Sequence, residues 1–127
     1  MILLLLALVL VPIAARVWAK WRLPQYSGTA TGVGFGLVAS PLSLGLYATY
    51  FLGPLGIVTG MAGLVLVTLH GTPGYNIAVW LGIVPSHTVV KGASSFYVEA
   101  VNGLFWAPIY GALGWVIDRV RRSRVAL

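Results

Sequence analysis

The 127-residue chain holds only two acids, Glu99 and Asp118, two histidines, His70 and His87, and no cysteine. Those few groups bound its chemistry. Without cysteine there is no disulfide, thiolate metal site or thiol nucleophile. Glu99 lies inside an apolar run, where an ionisable group can relay protons, bind a cation or pair with a partner's base. At 1.5 Å per residue it sits only ~7.5 Å into its helix, from where a carboxylate also reaches headgroups or a neighbouring loop. Both roles stand, and Asn102 completes a candidate intramembrane polar site. His70 and His87 could bind a haem or a metal or titrate near neutral pH. They lack the spacing of a single-helix metal site, so an interfacial place is the simpler reading, and no metal or cofactor is expected. Asp118 has Arg121 and Arg122 three and four residues on, which reads as a helix-end ion pair. No acid pair at catalytic spacing, no supported Ser-His-Asp set and no phosphate loop is found, so no enzyme is expected.

The elements that must position these groups are membrane helices. Hydrophobic residues make up 59% of the chain and charged residues 8%, against about 25% charged in soluble domains. A span needs roughly 20 apolar residues. The fold expected is an all-α integral membrane protein, a single helical domain over 1–127, with a polytopic bundle of four to five transmembrane helices. The spans read as about 2–19, 31–52, 55–70 and 94–117. Met1–Ala15 is taken as part of a first span rather than a signal peptide, since no basic n-region precedes it. Gly71-Thr72-Pro73-Gly74 reads as a loop. The stretch 75–90 is ambiguous: uncharged but short, with Pro85, it suits a re-entrant or interfacial segment.

The net charge of +6 sits beside apolar runs. Arg16, Trp18, Lys20, Trp21 and Arg22 form one interfacial anchor, and Arg119, Arg121, Arg122 and Arg124 another. The partners this implies are membrane lipids, anionic headgroups included, and not nucleic acid. The positive-inside rule puts the first anchor in the cytoplasm. Five crossings would put the second there too, and four would place it outside.

Small residues recur every four positions: Gly28, Gly32, Gly36 and Ser40; Gly56 and Gly60; Gly103, Ala107 and Gly111. On a helix each set lines one face and lets backbones approach closely, as lipid-embedded helices require. The faces serve packing inside the chain, docking on other transmembrane helices, or both. Thr29 to Gly36 (Thr-Ala-Thr-Gly-Val-Gly-Phe-Gly) also resembles the potassium-channel selectivity filter, in which backbone carbonyls replace water around the ion. That resemblance spans eight residues. Gly32 stands where the filter has its last threonine, and Leu37 where an acid commonly follows. No room remains before it for a pore helix, so the same glycines read as a packing face.

The function expected is a non-catalytic small multi-pass subunit or structural component of a larger membrane assembly. Suitable settings are a respiratory or photosynthetic-type complex, or a lipid-containing virion. The place would be a cell or virion membrane. The alternative is a homo-oligomeric pore, small transporter or holin-like protein, lined by Glu99, Asn102 or the Thr29–Gly36 strip. A third reading is a membrane anchor for a cofactor held by His70 and His87.

Overall fold

A computed structural model describes residues 2–86 and 93–125. Four α-helices account for nearly all of them: α1 Ile2–Arg22, α2 Ser27–Ala48, α3 Pro54–Trp80 and α4 Ala93–Val125. Single 3₁₀ turns, Pro24–Tyr26 and Thr49–Phe51, join α1 to α2 and α2 to α3, and no strand occurs among the described residues. In lipid each backbone N–H and C=O must be satisfied internally, so apolar runs of this length become helices. Among the described residues three stretches are long and apolar enough to cross a membrane: Pro24–Phe51, Gly56–Trp80 and Ser95–Arg124. They indicate a membrane location and do not confirm the four to five spans expected from sequence.

The boundaries differ from the expected ones in an instructive way. The Gly71–Gly74 stretch is not a loop, because α3 runs through it to Trp80. The first part of the ambiguous 75–90 segment therefore belongs to α3. The helix stops where Gly82 adopts φ +70. The Gly82 N–H then bonds to the Val79 carbonyl at 3.0 Å and the Ile83 N–H to the Ala78 carbonyl at 2.9 Å. This is the paired bonding of a Schellman termination, and it needs a left-handed residue that glycine supplies without a Cβ clash. Gly53 also takes a positive φ (+92), as the N-cap before Pro54, which opens α3 where a missing N–H costs nothing. Likewise α4 does not end near Ile117 but carries the basic tail to Val125 as helix.

Each helix contains an internal proline: Pro12, Pro41, Pro73 and Pro108. Proline lacks an N–H and frees the carbonyl four residues earlier. Hydroxyls meanwhile bond back to their own helix, as Thr31 to the Ser27 carbonyl at 2.7 Å and Ser43 to the Ala39 carbonyl at 2.6 Å.

The chain divides into two compact units, 1–38 with 106–127 (the terminal unit) and 39–105 (the central unit). Each is described by itself.

Candidate functional site

In the terminal unit, α2 and α4 pack antiparallel along a glycine seam. A Cβ added at Gly32 would lie 2.0 Å from the Tyr110 carbonyl oxygen, and one at Gly36 2.6 Å from the Ala107 Cα. At Gly114 it would lie 2.2 Å from the Gly28 carbonyl oxygen, and at Gly111 2.8 Å from the Val33 side chain. No larger side chain fits between backbones this close. Gly34 points elsewhere, with its Cβ position 3.0 Å from the Ala15 Cβ and 3.1 Å from the Pro12 Cα of α1. Because α1 turns back into α2 through Pro24–Tyr26, α1 and α4 run parallel. Arg16, Lys20 and Arg22 therefore lie at the same end of this unit as Arg119 to Arg124.

At that end the structure corrects the reading of Asp118. Its carboxylate does not serve Arg122. Asp118 is 4% exposed, and its Oδ1 accepts from the Gly28 N–H at 2.8 Å. Its Oδ2 accepts from the Thr29 N–H at 2.7 Å and the Thr29 hydroxyl at 3.0 Å. Asp118 thus caps α2 from across the seam. The first turn of a helix presents unpaired N–H groups and a partial positive charge. Arg122 instead donates from Nε to the Asp118 backbone carbonyl at 3.4 Å and lies over the Tyr26 ring at 5.5 Å. Arg119 lies 5.3 Å from the Trp115 ring centroid. Trp18 and Trp21 are exposed, as are Arg16, Lys20, Arg22, Arg121 and Arg124. Phe35, Tyr110 and Trp106 form a ring chain, with centroids 4.9 Å and 5.7 Å apart.

In the central unit, fully buried Asn102 ties three helices together. Its Oδ1 accepts from the Gly74 N–H of α3 at 2.6 Å, and its Nδ2 donates to the Ser40 hydroxyl of α2 at 3.3 Å. Gly74 follows Pro73, where the helix ladder is interrupted. Asn102 accepts from the N–H that directly follows Pro73, and α3 runs on through the stretch that sequence suggested as a loop. Sequence reading had offered Asn102 as pore lining, without its partners. Gly103 is buried beside it.

His70 is 3% exposed. Its Nδ1 lies 3.0 Å from the Ser43 hydroxyl and 3.1 Å from the Leu66 carbonyl oxygen. A carbonyl only accepts, so Nδ1 carries the proton and Ser43 passes its own to the Ala39 carbonyl. A serine activated by a histidine base needs the opposite arrangement. His87 lies outside the described residues. No group of three His, Cys, Asp or Glu side chains that could hold a metal occurs among the described residues.

Glu99 is half-buried, and its Oε2 is a buried oxygen with no hydrogen-bond partner among the described residues. Gly56, Gly60 and Gly63 face the start of this unit's hairpin. Cβ atoms there would meet the Thr49 carbonyl oxygen at 2.1 Å, the Tyr50 Cβ at 2.5 Å and the Tyr47 nitrogen at 2.2 Å. Gly34, Gly63, Gly74 and Gly114 do not read as packing residues in the sequence, because none continues a four-residue run. Each is known only by what it faces.

Comparison with known proteins found no matching family model, curated protein or solved structure.

Proposed function

We propose that the chain is a non-catalytic, multi-pass structural subunit of a larger integral membrane assembly, such as a respiratory or photosynthetic-type complex or a lipid-containing virion. One face of α3 carries the proposal. Thr68, Thr72 and Asn76 recur every four residues along a groove of about 760 Å³ walled by Leu64, Val65, Leu69 and Pro73. The threonine hydroxyls bond within α3, whereas the exposed Asn76 carboxamide has no described partner. A carboxamide on an apolar helix face favours a hydrogen bond to a neighbouring helix. The glycine faces are already used within each unit, which leaves this face for docking. Native mass measurement in mild detergent tests the reading. The expected particle is a multiple-chain species well above the 13.5 kDa of one chain, shifted toward the free chain by Asn76→Leu. A stable wild-type monomer with no co-purifying partner overturns it.

The topology that fits this reading follows from parity. The basic ends of α1 and α4 lie together, and the positive-inside rule assigns both to the cytoplasm. If α1, α2 and α4 cross, residues 49–92 leave and return on the far side. Only twelve residues separate Trp80 from Ala93, fewer than the roughly 20 that a helical crossing needs, so we read α3 as entering and leaving from one side. In the central unit, Gly74 lies against Asn102, and beyond it Ala78 and Val84 gather on Val98, one turn nearer the start of α4.

The second reading, a homo-oligomeric pore or small transporter, draws on the unpartnered Glu99 oxygen. Cation or proton flux into liposomes that Glu99→Gln abolishes would support it, and flux indifferent to that change removes it.

A further inference from the structure

We infer that the terminal unit holds one anionic phospholipid from the leaflet at its basic end. Residues of α1, α2 and α4 line a groove of about 710 Å³ that carries Arg16, Lys20 and Arg121 toward one end and Ile13, Phe35 and Leu113 further along. Three features commit it to that occupant.

The first is charge. The chain has eight bases against two acids, and the Asp118 carboxylate, held by Gly28 and Thr29, interacts with the charge of Arg121 alone among the groove bases. Two acids leave most of the basic charge unmatched, that of Arg16 and Lys20 included, and a phosphate at their end supplies the counter-charge. The second is polarity along the groove. Further along than the bases its walls are aliphatic and open: Val9, Ile13 and Leu113 are 45–56% exposed. That order, cationic then apolar, is the order of headgroup and acyl chain. The third is length. From Lys20 to Val9 the groove follows twelve residues of α1, ~16.5 Å at the helical rise, and one leaflet of a ~30 Å core is about as deep. A helix from a second copy of the chain would bring more positive charge to the same end. Arginine and lysine also differ in use here, since a guanidinium grips phosphate through paired N–H groups while an ammonium acts as a compact charge.

Native mass spectrometry of the purified protein, reconstituted in nanodiscs of phosphatidylglycerol and phosphatidylcholine in equal parts and then released into detergent, tests the inference. One retained phosphatidylglycerol per chain is expected, with phosphatidylcholine retained at least tenfold less. The triple variant Arg16→Gln, Lys20→Gln, Arg121→Gln should lose that lipid at least tenfold. Leu113→Trp, which fills the groove and leaves the charge alone, should displace it as well. A control of equal charge change away from the groove, Arg22→Gln, Arg119→Gln, Arg124→Gln, should retain it. Equal loss in the control reduces the effect to general surface charge and overturns the site. So does retention in both groove variants, or a Leu113→Trp change in particle mass with no change in bound lipid. Unchanged far-ultraviolet circular dichroism in at least one groove variant separates loss of lipid from loss of fold.

Discussion

A carboxylate as buried as Asp118 holds its charge only if hydrogen bonds replace water, and the start of α2 provides three. Removing one side of such an arrangement leaves N–H groups buried without partners, at a cost of ~1–3 kcal/mol; an exposed ion pair is worth ~0–1 kcal/mol. Asp118→Ala should therefore lower stability by about 1–3 kcal/mol, and Asp118→Asn should recover part of that because its amide oxygen still accepts. The midpoint of helix loss in a sodium dodecyl sulfate titration measures both. Equal midpoints for wild type and Asp118→Ala would exclude the cap. The sequence could not disclose this role. The bonded partners stand 89 and 90 positions away, and only Arg121 and Arg122 are neighbours by spacing. Asn102 and His70 were visible as polar groups in apolar runs, but their partners on other helices were not.

At the scale of elements, composition made the helices legible and proline made their ends ambiguous. Gly71-Thr72-Pro73-Gly74 has the residue types of a turn, and in water it would suit one. Here α3 runs through the stretch, with Asn102 bonded to the Gly74 N–H and the Thr72 hydroxyl to the Thr68 carbonyl. The real stop, Gly82, is a single glycine in a run that sequence left undecided. The re-entrant path proposed for α3 is testable because the chain has no native cysteine. Single cysteines at Leu52 and Ser86 should both react with an impermeant maleimide from the side opposite Arg22 and Arg124 in sealed vesicles. Labelling of Ser86→Cys from the basic side would mean that α3 crosses, and the parity argument would fail.

At the scale of the whole molecule, the glycines of the α2–α4 seam are spent internally. Gly32, Gly36 and Gly114 each meet backbone within 2.6 Å of where a Cβ would stand, so that surface is closed to partners. The open features are the Asn76 face of α3 and the cationic groove of the terminal unit. A multiple-chain native particle and a retained phosphatidylglycerol are the outcomes expected of them, and each can fail without the other. What the sequence by itself determined is the membrane-helical class, the basic anchors and the residue types that permit close packing, because hydropathy, charge and side-chain size act locally. Only the tertiary structure decided which glycines meet which backbone, that both basic ends share one end of a unit, and that Asp118 and Asn102 repair helices not their own. Those outcomes depend on contacts between residues tens of positions apart. In a medium without water, every unpaired backbone group must find its partner inside the fold.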